Sequence, residues 1–155
     1  MPRRLAALIP AAALAVLGSA ESGRSAGDQP AAPPGTPSEQ RAFARYSPYA
    51  GPPIREFTWL GHFYSWEALG KDQLVVFTTP SDAYLLKVWS TCDLRFVVNV
   101  VGLSSTAGTV TAHGDFVSID SPATGRMHCP IEEIRRIDYQ RMQADLRRQA
   151  QQKQR

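Results

Sequence analysis

Polar and apolar residues alternate only in the middle of this chain. Phe57 and Trp59 are separated by polar Thr58 and preceded by Glu56, the period-two pattern of a strand. Tyr64, Trp66 and Ala68 alternate with Ser65 and Glu67. Gly70-Lys71-Asp72 marks a turn, and Leu74-Val75-Val76-Phe77 is a continuous apolar run of strand length. Thr79-Pro80-Ser81-Asp82 interrupts it before a second run that sets Tyr84, Leu86 and Val88 on one face. Leu74–Thr78 and Tyr84–Trp89 are therefore expected to form a hairpin. Phe96–Val101 is rich in β-branched residues and reads as a buried strand. Gly102–Gly108 reads as a loop, Phe116–Ile119 as a short strand and Ser121–Gly125 as a turn. A further strand returns over Met127–Ile131. Ile131, Ile134 and Ile137 are spaced by three, which fits either a helical turn or a bent last strand. Asp138 can accept from orphan amides and cap a helix from Tyr139 to about Gln151. That helix has only Met142 and Leu146 as an apolar stripe, so it would be marginal alone. The pattern predicts a mainly β fold: a small antiparallel sheet rolled as a partly open barrel or sandwich, with a C-terminal helix.

The flanks read differently. Arg3 and Arg4 precede an apolar run from Leu5 to Leu17, and Gly18-Ser19-Ala20 supplies small residues at the positions a signal peptidase reads. The run is short of the roughly 20 residues that span a bilayer, so residues 1–20 read as a cleavable signal peptide, with an uncleaved N-terminal anchor as the alternative. A lipoprotein would carry a Cys just after the run, and the first Cys is Cys92. Residues 21–53 contain seven prolines among Ala, Gly and Ser, a composition expected of a disordered tether. Within it, Ser38–Tyr46 has the makings of a short helix. The expected domains are thus a signal over 1–20, a tether over 21–53, a β domain over 54–138 and a basic helical tail over 139–155.

Charge and cysteine content refine this picture. The full chain carries 17 basic and 14 acidic residues, a net of +3, and loss of Arg3 and Arg4 leaves +1. Such a balance gives little reason to expect nucleic acid. Residues 54–134 are net −4 and residues 135–155 net +5. A basic tail on an acidic body is expected to touch an anionic membrane surface weakly, if it is more than a solvated helix. Cys92 and Cys129 are the two cysteines. With an export signal they are expected to pair. A body of about 85 residues gains from such a staple, by about 4 kcal/mol in the chain-entropy model. With no C-x-x-C pair and only His128 adjacent, a zinc site is the poorer reading.

The candidate chemistry is thin. Gly102-Leu103-Ser104-Ser105-Thr106 resembles a nucleophile elbow, but Thr106 stands where the second glycine belongs and no helix follows. His113 and Asp115 share a loop and could act as an acid–base pair, so Ser104, Ser105, His113 and Asp115 are the residues a small periplasmic enzyme would use. His62, His113 and His128 have no paired metal spacing. The aspartates lack the order of a calcium loop, and no glycine-rich phosphate cradle is present. No metal or cofactor is expected. Phe57, Trp59, Phe63, Tyr64 and Trp66 are assigned to the core; any ring that reached solvent would offer a stacking platform for sugars or peptides. Trp89, just before Cys92, is expected to pack on the disulfide.

One resemblance emerges from these residues. Trp66, Leu69, Asp72-Gln73-Leu74-Val75-Val76, Tyr84-Leu85-Leu86-Lys87-Val88, Cys92-Asp93-Leu94-Arg95-Phe96, Gly102-Leu103-Ser104-Ser105 and His128-Cys129-Pro130-Ile131-Glu132-Glu133-Ile134-Arg135 occur in this order. The order resembles the domain-of-unknown-function family numbered 6491, small exported proteins of Gram-negative bacteria, over roughly residues 54–138. The resemblance implies a periplasmic or envelope location and brings no activity, so no catalytic residue follows from it. The expectation is a non-catalytic binding or structural module for an envelope protein, peptide or glycan, located in the periplasm or secreted. The alternative is the small enzyme built on the Ser104 loop.

Overall fold

The longest strand organises the others. In the computed structural model, which describes residue 30 and residues 35–154, residues Gly125–Ile137 form one strand whose two halves have different partners. The elements in order are α1 (Pro37–Tyr46), β1 (Ala50–Ile54), β2 (Glu56–Thr58), β3 (Ser65–Ala68), β4 (Gln73–Phe77), β5 (Ala83–Val88), β6 (Asn99–Leu103), β7 (Thr109–Thr111), β8 (Phe116–Ser121), β9 (Gly125–Ile137) and α2 (Tyr139–Lys153). The first half of β9 pairs with β8, and its second half pairs with β5 on one side and β1 on the other. The sheet order is β3-β4-β5-β9-β8-β6, antiparallel at every step, and it rolls into a nearly closed six-strand barrel. The expected fold class is what is found, including the β4–β5 hairpin and the C-terminal helix capped by Asp138, whose side chain accepts from the Arg141 amide at 3.0 Å.

A single extra residue explains the isoleucine spacing. Lys87 pairs with Glu133 and Val88 with Ile131, so Glu132 has no partner and forms a bulge. Side chains alternate between faces along a strand, and residues three apart would face oppositely without such an insertion. With it, Ile131 and Ile134 both enter the barrel core, whereas Ile137 faces outward. The last strand is therefore bent rather than helical.

The barrel core holds Leu74, Val76, Leu86, Val88, Ile119 and Ile131, joined by Phe57 of β2 and Val110 of β7, which form a separate two-stranded ribbon. Phe57 stacks on Tyr84 at 4.1 Å. The outer face of β4 and β5 is buried as well: Val75, Phe77, Ala83 and Leu85 meet Phe43 and Tyr46 of α1 and Met142 of α2. Burial on both faces is why Leu74–Phe77 reads as an unbroken apolar run.

The tether needs correction where it falls within the described residues. Residues 37–53 are part of the fold, and each proline there occupies a position that tolerates it. Pro37 opens α1, where the missing amide costs nothing. Pro48 lies in a 3₁₀ turn, and Pro52 and Pro53 lie on β1, which pairs only with β9 among the described residues. A capping box of Thr36 and Glu39 starts α1, which lies where a short helix over Ser38–Tyr46 was expected, and Phe43, Tyr46 and Tyr49 supply the apolar contacts that composition had hidden. The expected signal peptide and the remainder of the tether, residues 21–29 and 31–34, lie outside the described residues.

Cys92 and Cys129 are bonded, with Cα atoms 5.9 Å apart, and both are buried. Trp89, expected on the bridge, is 53 % exposed and lies outside the cluster that encloses the two half-cystines. Phe96 also differs from expectation. The Asp93 side chain accepts from the Arg95 amide and turns Leu94–Phe96 into a 3₁₀ helix, so the strand begins only at Asn99.

Candidate functional site

Two places combine candidate chemistry with accessible space. The first is the loop between β7 and β8. The Ser104 hydroxyl donates to Asp115 Oδ1 at 2.6 Å and accepts from the Phe116 amide at 2.9 Å. Asp115 Oδ2 accepts from both the amide and the hydroxyl of Thr111, each at 2.8 Å. Burial of Asp115 favours its protonated form, but the hydrogen bonds from Ser104 and Thr111 outweigh it and hold the carboxyl below its ordinary pKa. The loop is tied to β9 as well: the His113 amide donates to the Ile131 carbonyl, and the Ile131 amide to the Asp115 carbonyl.

This network brings together Ser104 and Asp115 but not the other two residues of the enzymatic reading. Ser105 is exposed, and His113 stands in the left-handed region at φ +64°. The hydrogen bonds of Ser104 and Asp115 do not include its ring. A serine nucleophile needs a base that accepts its proton and is positioned in turn by a third group. Here the proton points at a carboxylate made weakly basic by three donors. The arrangement is a clamp that closes the β7–β8 turn beside the bulge. Thr111 and Gly114 belong to it and were not legible as such: a Cβ on Gly114 would sit 2.5 Å from Thr111 Oγ1, displacing the hydroxyl that holds Asp115. Beyond the clamp, a cleft of about 540 Å³ lies between Arg55 and Glu56, Ala112 and His113, and Glu132 and Glu133. Two of its carboxylates are already engaged, Glu132 with Lys87 at 3.0 Å and Glu133 with Arg135 at 2.5 Å.

The second place is the seam where the barrel fails to close. β3 and β6 are the two ends of the strand order, and a cavity of about 550 Å³ between them is lined by Gly61–Trp66 on one side and Asn99 and Val100 on the other. Tyr64 in this lining is 64 % exposed, as are Leu60 (65 %) and Val98 (64 %), each next in sequence to a lining residue, with Phe96 (62 %) close by in sequence. The aromatic stretch expected in the core is therefore divided. Phe57 and Trp59 are buried, Phe63 and Trp66 are half-buried, and Tyr64 reaches solvent. Phe63 leans on Trp59 at 4.6 Å, which fixes the floor of the seam. Glu67 of β3 is occupied on the helix side, accepting from the Tyr46 hydroxyl at 2.5 Å and pairing with Arg45 at 3.3 Å.

The residues that carried the resemblance sit at these structural positions: the paired half-cystines, the buried hairpin, Ser104 in the clamp and the bent β9. The chain belongs to the Family of unknown function (DUF6491). The match runs over residues 2–154, well beyond the 54–138 of the resemblance, and takes in α1, β1 and α2. No curated protein and no solved structure matches the chain. Membership in DUF6491 thus assigns no chemistry to the clamp or the seam. The buried disulfide points to an extracytoplasmic location. Among the described residues, no helix is long and apolar enough to cross a membrane, and no three His, Cys, Asp or Glu side chains group as a metal site.

Proposed function

We propose that this protein is a non-catalytic binding module of the periplasm, delivered by residues 1–20 as a signal peptide, and that the β3–β6 seam is its recognition surface. The observation that carries the reading is a concave opening whose lining has no Asp, Glu, Lys or Arg and includes the exposed ring of Tyr64, with exposed Leu60 and Val98 next in sequence to the lining. Exposed contiguous apolar surface of this kind marks interaction sites in soluble proteins. The Ser104 clamp supports the same reading from the other side, because its polar groups are spent on main-chain amides and on one another.

Export is checked by sequencing the periplasmic protein, expected to begin at Glu21; a chain still beginning at Met1 would refute the signal. Binding is checked in the intact cell with a photo-crosslinking side chain placed at Tyr64 or, as control, at exposed Leu146 of α2. Adducts should form at Tyr64 and not at Leu146, and Val98→Glu should abolish them without lowering Tm. No adducts at Tyr64, or equal adducts at both positions, would overturn the seam as the recognition surface.

A further inference from the structure

Resting on that reading of the seam, we propose that its occupant is an extended, uncharged peptide segment of a partner protein, which adds as a strand to the open edge of β3. Among the described residues β3 pairs only with β4, and β6 only with β8. Each therefore turns one row of main-chain N–H and C=O groups toward the seam. Soluble proteins usually blunt such edges with proline, charge or a bulge. This chain does so elsewhere: β1, which has one paired side, carries Pro52 and Pro53. At the seam neither device is complete. β3 has no proline, and its one charge, Glu67, is held by Arg45 and Tyr46.

The two edges are not equivalent. Pairing along β6 shifts register between Val100 and Gly102, which twists that edge, whereas β3 pairs with β4 without a break from Ser65 to Ala68. Strand direction alternates around the sheet, so β3 and β6 run oppositely, and an inserted strand can be antiparallel to only one of them. The regular edge of β3 is the better template. An antiparallel segment there sends alternate side chains into the cavity and onto Tyr64 and Trp66.

Charge selects the occupant. No Asp, Glu, Lys or Arg lies between Glu56 and Glu67 or between Arg95 and Asp115. A carboxylate, phosphate or ammonium brought into the seam would lose water and meet no Asp, Glu, Lys or Arg of the lining, only the polar groups of His62, Ser65 and Asn99. This disfavours an acidic glycan or a lipid headgroup and favours a segment of apolar residues alternating with small hydroxyl ones.

The test uses the full mature chain and fluorescent peptides of about seven residues, long enough to span a typical strand, in which Thr alternates with Val, Leu, Phe or Tyr. Each is compared with two forms N-methylated on alternate amides, one form for each edge of the peptide. N-methylation keeps every side chain and removes the donors along one edge. At least one parent peptide should bind saturably. Methylation of one edge should weaken it about tenfold, the worth of one to two hydrogen bonds, while methylation of the other edge is tolerated. Tyr64→Ser, at an exposed position that leaves the fold intact, should weaken the parent, and a peptide with Asp in place of Thr should not bind. If both methylated forms bind like the parent, strand addition is wrong although the seam stands. If Tyr64→Ser leaves binding unchanged, the seam reading itself falls. Absence of binding by every peptide at millimolar concentration overturns the proposal. So does a concentration-dependent dimer in sedimentation that excludes the peptide, because the occupant would then be a second copy.

Discussion

Ser104→Ala separates a structural clamp from a catalytic serine. The substitution removes a hydroxyl that donates to the buried Asp115 carboxylate at 2.6 Å and accepts from the Phe116 amide at 2.9 Å. A hydrogen bond to a charged group contributes about 1.5–3 kcal/mol, and leaving a partly buried amide without its acceptor costs about 1–3 kcal/mol. Thr111 still holds the other carboxylate oxygen, so the two losses overlap and the expected destabilisation is about 2–4 kcal/mol. For a domain of this size Tm should fall by on the order of 10 °C. The loss also carries a pH signature. The folded pKa of Asp115 is depressed, so its contribution is present above the unfolded carboxyl value and fades as pH falls through the folded one. Wild type and Ser104→Ala should therefore differ most at neutral pH and converge in acid. The assay is urea unfolding under non-reducing conditions across this range, with Ser105→Ala, at an exposed position, as a control expected to be silent. A Ser104→Ala chain as stable as wild type at pH 7 would refute the clamp and reopen the enzymatic reading.

Three further outcomes follow from the packing. Replacing Cys92 and Cys129 with Ala should cost about 4 kcal/mol in urea unfolding, since the bridge closes a separation of 37 residues; an unchanged midpoint would refute its role as a staple. The Tyr46 hydroxyl is pushed up to about 12 by burial first and by its bond to Glu67 second, against the opposing effect of Arg45. Its contribution, at most about 2.7 kcal/mol, is complete below pH 10 and is lost as pH rises through 12. Tyr46→Phe should flatten that alkaline loss of stability, and an unaltered pH profile would count against it. Deleting Glu132 should remove the bulge and leave Ile131 and Ile134 two residues apart, both still in the core, at little cost beyond the exposed Lys87 ion pair, about 0–1 kcal/mol. An intact disulfide with near wild-type stability would report it, whereas two reactive thiols in the purified variant would show that the bulge does not set the register.

What was legible in the sequence was local. Alternation at Phe57–Ala68, the hairpin around Thr79–Asp82 and the Asp138 cap depend on neighbours in the chain, and each is where its pattern placed it. The cysteines could be paired because there were only two. What failed depended on partners distant in sequence. Seven prolines suggested a tether because composition does not show that Pro37 opens a helix or that Pro52 and Pro53 lie on a strand with one paired side. The three-residue spacing of Ile131, Ile134 and Ile137 stayed ambiguous because a bulge is visible only against the strand it faces. At the site, Ser104 and Asp115 were singled out together with Ser105 and His113, but the pair expected was His113 with Asp115, and the role of Ser104 and Asp115 turns on Thr111 and the space that Gly114 leaves open. The seam was invisible, since nothing in Ser65–Ala68 or Asn99–Leu103 says that these strands end the sheet.

The energetics of the two ends of the sheet support the proposal that recognition takes place at the seam rather than at the clamp. β4 and β5 are buried on both faces, β9 is paired along most of its length, and the half-cystines fix the chain across the core. These regions hold the domain's stability and have little freedom to respond to a ligand. β3 is the reverse: four residues, one partner strand, and an anchor to α1 through Glu67 alone among its charged groups. Joining β3 to β6 would satisfy two rows of main-chain groups and bury Leu60, Tyr64 and Val98, so a fold selected only for stability would close there. The open edge of β3, whose one charge is already paired, carries the aggregation hazard that Pro52 and Pro53 avoid on β1. That a domain manages the hazard at one edge and keeps it at another is what the proposal requires: a surface retained for a partner whose own main chain and side chains would complete the barrel.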